Sequence, residues 1–326
     1  MAATDGYSMS DRRANCQVHQ DGVALITVLL VIAILTAVMA RLVLSDQVWI
    51  RQVANASAQM KAAQAARAAQ RWITLLLERD KNGVDSNNET WAQALPPIPL
   101  GDGTLSGHIE DMQDRFNLNN LVNKHGKTDA SAMETFERLL QVLDLNEGIA
   151  QAAVDWIDPD DARTGAWGAE NSYYNTLNPP YSASNEPFTD PAELKLVRGV
   201  NQDAWVRLEP YVTALPMYTN INVNTAKPEV LAAMIRNWGP PRDALGRAVN
   251  WINIVNREPV LSLDDFSRRA LSGVNPELPV GLSIDSQFFE AHTRLNYGNV
   301  EQWIATLYYR KKNGRAIILS QNREFQ

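Results

Sequence analysis

Cysteine is almost absent from the 326-residue chain, and the one present, Cys16, lies ahead of the first apolar run. Beyond the leader this excludes disulfides, thiolate catalysis and cysteine-held metals. Histidine is scarce as well. His19, His108, His125 and His292 are isolated in sequence and outside any HExxH-type spacing, so each reads as a surface or packing residue. No G-x-S-x-G elbow and no Walker loop occur. Gly101-x-Gly103 is followed by Gly107, one position late for a phosphate loop and without a preceding strand, and reads as a turn. Positive charge is in deficit: 30 Lys and Arg against 37 Asp and Glu leave a formal charge of −7. That argues against a nucleic-acid partner, since proteins that grip phosphates normally show a basic face. The chain is therefore expected to be non-enzymatic and without a nucleic-acid partner.

What is present in abundance is apolar helix. Val23 to Leu44 (VALITVLLVIAILTAVMARLVL) carries no charge before Arg41. As a helix this run spans about 33 Å, enough to cross a bilayer's hydrocarbon layer. The next stretch, to Asp80, is rich in Ala, Gln, Arg and Leu and free of Gly and Pro, so one helix of roughly 80 Å is predicted. A secretory signal has a shorter apolar core followed by a cleavage site, which does not match this run. An ordinary single-pass anchor is the plain alternative. The polar leader ending at Gly22, followed by Val23-Ala24-Leu25-Ile26-Thr27, resembles the processing site of type IV pilin-like proteins. That resemblance implies cleavage after Gly22 and methylation of the new terminus at Val23.

After Asp80 a polar, turn-rich run ends the helix, and Pro96, Pro97 and Pro99 follow a short helical turn at Trp91 to Leu95. Thr104 to Asp114 alternates as a strand. From Phe116 to Leu282 the pattern is mainly helical, with helix starts predicted at Ser131-x-x-Glu134 and Asp190-Pro191-x-Glu193. Three strand-like stretches close the chain, the last two joined by Lys311-Lys312-Asn313-Gly314, a hairpin signal. The fold expected is α+β: a long N-terminal helix on a four-stranded antiparallel sheet, with a large all-α insertion. The segments are 1–22 leader, 23–115 helix and first strand, 116–282 helical insertion, and 283–326 closing strands.

Within the insertion, Glu134 to Asp158 aligns without gaps on Glu229 to Asn253, and Phe116-Asn117-Leu118-Asn119-Asn120 resembles Ile221-Asn222-Val223-Asn224-Thr225. We read two related helical modules. Between them, Pro159 to Thr189 is a long segment without periodicity, and such a loop usually serves function or needs a staple. Asp155, Asp158, Asp160, Asp161, Glu170 and Asn171 bring hard oxygens into it, a composition that suits calcium, although Ala162 breaks the EF-hand pattern. A solvated acidic loop is the plain alternative. The run INVNTAKPEVLAAMI also looks like the start of a helix-hairpin-helix module, which favours a membrane-anchored DNA-binding protein as the rival reading. The turn that would grip phosphate, however, holds Pro240 and Pro241, and prolines supply no backbone donors.

Taken in order, GVALITVLL, DWIDPDDARTGAWGAENSYY, PAELKLVRGV and INVNTAKPEVL resemble the minor pseudopilin of type II secretion systems called general secretion pathway protein K. The resemblance implies a pilin-like core with two SAM-like modules inserted. It implies structural calcium at the loop matched by Asp158, Asp160, Asp161, Glu170 and Asn171, the last standing where the family often has Asp. It implies an inner-membrane, single-pass protein of a Gram-negative cell with its C-terminal bulk in the periplasm. The partners implied are membrane lipid, minor pseudopilins of the I, J and H types, and the exported proteins. Thr27 falls where most pilin-like subunits carry a membrane-buried glutamate that neutralises a neighbour's terminus, and its neutrality points to a cap at the pseudopilus tip. Ala54, Ala58, Ala62, Ala65 and Ala69 are the small residues expected to meet partner helices. A minor pilin of a type IV pilus is the third reading.

Overall fold

The computed structural model describes residues 21–271, 278–298 and 300–324. Of the processing leader expected over residues 1–22, residues 1–20 lie outside them. The chain forms two units, Met1–Ala58 and Gln59–Gln326, each treated by itself below.

Helix α1 (Asp21–Arg79) begins in the first unit, and its apolar window is fully exposed, long and apolar enough to cross a membrane. The polar atoms inside that window are satisfied locally. Thr27 Oγ1 donates to the Ala24 carbonyl at 2.9 Å, and Thr36 Oγ1 to that of Ile32 at 2.9 Å. Neither hydroxyl therefore needs an external partner, which lowers the cost of placing it in lipid.

In the second unit α1 turns amphipathic. Ala62, Ala65, Ala66, Ala69, Ile73 and Leu77 are buried at the three- and four-residue spacing of one helix face. Ile73 and Leu77 pack with Ile109, Phe289, Ala291 and Tyr308 of the sheet, and Lys61 pairs with Asp102 at 2.7 Å.

The chain continues through β1 (Leu95–Leu100) and β2 (Gly103–Asp111) into the helical region. There follow β3 (Phe116–Asn117), α2 (Ala130–Val142), α3 (Gly148–Ile157), α4 (Asn171–Tyr174), α5 (Gln202–Leu208) and β4 (Val212–Thr213). A second series comprises β5 (Ile221–Asn222), α6 (Pro228–Met234), α7 (Pro241–Val255), α8 (Leu263–Ala270) and β6 (Leu282–Ser283). β7 (Phe288–Tyr297), β8 (Val300–Arg310) and β9 (Ala316–Glu324) complete the chain.

Among the described residues the sheet has five antiparallel strands in the order β1-β2-β7-β8-β9, one more than predicted. The additional strand is Leu-Pro-Pro-Ile-Pro-Leu. Proline cannot donate to a ladder, which argues against a central strand, but β1 occupies an edge, where only one side is paired, and its register shifts between Leu95 and Ile98. Gly314, at φ +80°, closes the predicted β8–β9 hairpin.

The internal repeat is visible in the backbone. Each copy opens on a two-residue strand, folds a helix pair (α2–α3, α6–α7), adds a later helix (α5, which follows the one-turn α4, and α8) and closes on a strand parallel to the first. The repeated asparagines hold these closures. Asn119 accepts from Phe188 N at 2.8 Å and donates to Phe188 O at 2.9 Å. Asn224 does the same to Val260, at 2.9 and 3.1 Å. In both copies a side-chain amide, fully buried at Asn224 and partly buried at Asn119, stands in for a strand neighbour and satisfies two backbone groups. Both modules share one apolar core. Two helix starts differ in outcome. Asp190 and Glu193 form the predicted capping box, whereas the cap of α2 is Asp129, not Ser131, because its carboxylate accepts from Ser131 N and Ala132 N.

A buried polar knot joins the second module to the sheet. Asp111 Oδ2 accepts from Thr225 Oγ1 and Ser286 Oγ at 2.6 Å each, and Asn222 Nδ2 donates to Ser286 Oγ and to the Asp85 carbonyl.

Candidate metal centre

The acidic loop leaves the C-terminus of α3, where Asp158 is the cap residue. Its course is fixed by two close approaches. Asp155 Oδ1 accepts from Thr164 N at 2.8 Å, and Gln151 Oε1 accepts from Trp167 N at 2.8 Å. Gly168 lies so near Asp155 that a Cβ there would sit 2.3 Å from Asp155 Oδ2. Gly165, at φ +69°, makes the turn between. Arg163 and Arg198 hold the Gly168 carbonyl, Arg198 lying over the rings of Trp167 and Tyr173.

This arrangement brings Asp158, Asp160 and Glu170 together, with one carboxylate oxygen of each within 4.8 Å of the others. Asp158 and Glu170 are buried and Asp160 is exposed. Four oxygens here, Asp155 Oδ2, Asp158 Oδ1 and both of Glu170, are buried without a hydrogen-bond partner. Burial, joined by repulsion from Asp160 and Asp155, pushes the Asp158 carboxyl up to about 7. Burial and the neighbouring aspartates likewise push Glu170 up to about 7, and burial raises Asp155. A concave set of unsatisfied hard oxygens fits a calcium-type cation, which supplies the missing charge and the missing contacts together.

The other two candidate ligands are linked to each other, and Asp161 lies close enough to Glu170 to help raise its carboxyl. Asn171 Nδ2 donates to Asp161 Oδ1 at 3.1 Å, and Asn171 Oδ1 accepts from Ala183 N at 2.9 Å. They brace the loop beside the cluster. Asp155, fully buried, stands behind it.

Ala62, Ala65 and Ala69 are corrected by the structure. They are buried within their own unit and cannot offer a free face to a partner helix, whereas Ala54 is exposed and Ala58 half-buried. Gly22 and Val23 fall in the first turn of α1. The histidines are not all isolated: His108 and His292 lie directly opposite each other on β2 and β7 with rings stacked 5.0 Å apart. The signal was the alternation itself, His-x-Glu at 108–110 and Glu-x-His at 290–292, but it becomes a cluster only once the two strands are paired in register.

The turn between α6 and α7 is held by Arg138, which donates to the Ala233 carbonyl at 2.9 Å and to that of Gly239 at 3.1 Å. These carbonyls face inward against α2, unlike a hairpin that offers amides to phosphate.

Two family models described as type II secretion system, protein K, match residues 114–217 and 221–285. A type II secretion system protein K of Pseudomonas aeruginosa is 34% identical over 93% of this chain and 92% of its own length. That of Aeromonas hydrophila is 28% identical over 92% and 96%. Among solved structures, a crystal structure of a GspK–GspI–GspJ complex from enterotoxigenic Escherichia coli matches with a TM-score of 0.69 at 25% identity, covering 82% of this chain and 97% of that one.

Proposed function

Because the chain belongs to the type II secretion system protein K family, we propose that it is a non-enzymatic minor pseudopilin that caps the pseudopilus tip and helps start its assembly. The similarity to a subunit crystallised with I- and J-type partners carries this reading, since it extends over most of both chains. The apolar part of α1 would anchor the protein in the inner membrane as a single span, with the bulk of the chain in the periplasm. Thr27, hydrogen-bonded within its own helix, presents no carboxylate to a subunit ahead of it, which suits a terminal position. Co-expression with I- and J-type subunits from the same cell should yield a ternary complex from detergent. Recovery of the chain alone, with the other two still paired, would count against the assignment.

Asp158, Asp160 and Glu170 would hold a calcium ion, with Asp155 behind them and Asp161 and Asn171 bracing the rim. Its role would be structural, fastening a long loop that has no disulfide to fix it. Titration of the full chain in detergent should show calcium binding that is lost in the Asp158→Asn, Glu170→Gln double variant. Equal binding by that variant would move the ion elsewhere.

A further inference from the structure

Apart from the acidic loop, a second group of candidate ligands lies on the sheet. His108 faces His292, and two residues along the same face Glu110 faces Glu290. These four side chains form a square across β2 and β7. His108 Nε2 is 3.2 Å from Glu110 Oε1, and His292 Nε2 is 3.3 Å from Glu290 Oε2. One ligand atom from each of His108, Glu110 and His292 falls within 4.8 Å of the others.

Two features set this square apart from a scatter of surface pairs. The glutamates are like charges in direct cross-strand register, an arrangement that destabilises a sheet unless a positive charge lies between them. The imidazoles are stacked at an interplanar angle of 16°, so charging both rings to answer the carboxylates would set two cations face to face. Arg115 already answers Glu110 from one side, and one metal dication seated among the four side chains would answer Glu290 as well without charging the rings. Glu110 is already oriented as a ligand, because Arg115 Nη2 donates to its Oε2 at 2.7 Å and leaves Oε1 turned toward His108. Arg115 in turn is held by Asp114 at 2.6 Å.

We propose that His108, His292 and Glu110, with Glu290 as the fourth ligand, form a binding site for a zinc-class divalent transition metal on the open face of the sheet. Two imidazole nitrogens and carboxylate oxygens are the donor set of a tetrahedral zinc site and a poor one for calcium. Ligand atoms around zinc lie about 3.3 Å apart, given metal–ligand distances of about 2.0–2.2 Å, so the side chains close inward while the strands hold their register. β2 precedes the helical region and β7 follows it. A metal here clips together the two ends of that long excursion, the kind of cross-link that removes the most loop entropy from the unfolded chain.

The test is zinc titration of the full-length chain in detergent, followed by cobalt(II) substitution. Wild type should bind zinc with a rise in melting temperature, and cobalt should give the intense visible bands of a tetrahedral site. His108→Gln and His292→Gln should each weaken zinc binding at least tenfold and abolish those bands, while Asp264→Asn, an exposed carboxylate on α8, leaves both unchanged. Failure of wild type to bind zinc, or equal binding by the His108→Gln, His292→Gln double variant, would overturn the proposal. Circular dichroism of each variant separates a lost ligand from a lost fold.

Discussion

A carboxyl group at position 158 has charged neighbours of its own sign and little water. Asp158 and Glu170 are held near 7, so between about pH 4 and 7 the folded chain keeps protons that the unfolded chain has released. Raised acid pKa values of this kind make stability fall as pH rises through that interval and level off above it. In chelator the melting temperature should therefore drop from pH 5 to pH 7.5, read by differential scanning fluorimetry. Calcium at a hundredfold excess over its Kd adds about 2.7 kcal/mol, or about 5–10 °C for a domain of this size, and should remove the drop. Gly168→Ala should cancel that calcium response, because the new Cβ would occupy space held by Asp155 Oδ2. Asp158 and Asp160 were legible from local sequence, since both leave one helix end. The direction of Asn171 depends on Ala183, whose amide donates to its Oδ1, and no spacing rule reveals that. The His108–His292 pair was hidden for a similar reason, as strand register decides it.

At the scale of the element, the asparagine runs carry the repeat. Asn119 and Asn224 each pair with both backbone groups of one distant residue, so removing either amide strands a donor and an acceptor. Asn119→Ala and Asn224→Ala should each cost about 1–3 kcal/mol per stranded group, measured by denaturant unfolding. Asn→Asp should be nearly as damaging, because a carboxylate cannot donate to the carbonyl. The helix pairs were readable from apolar periodicity, and the ungapped alignment of the two copies located them. The run INVN suggested a nucleic-acid module because both scaffolds begin alike. In this chain the corresponding turn holds Pro240 and Pro241, and Arg138 from another helix donates to carbonyls at its two ends. β1 was missed because three prolines in six residues contradict a strand everywhere except at an edge.

For the whole molecule, the buried stretch of α1 limits which residues can mediate assembly. Ala62→Leu would force bulk into a closed face and should lower stability by about 1–3 kcal/mol with no partner present. Ala54→Leu, on an exposed position, should leave the melting temperature unchanged and reveal by pull-down whether I- and J-type subunits meet that part of the helix. The α+β class and the long helix were legible in sequence; the division of the alanines into sheet-facing and free was not, since it depends on where the strands lie. The two margins of the sheet are also unequal. β1 ends one side with half its residues lacking an amide hydrogen, whereas β9 ends the other with Ile318 and Leu319 partly uncovered. An extended polypeptide laid along the first side would meet three positions without an amide hydrogen, so lateral zippering onto this protein would be disfavoured there.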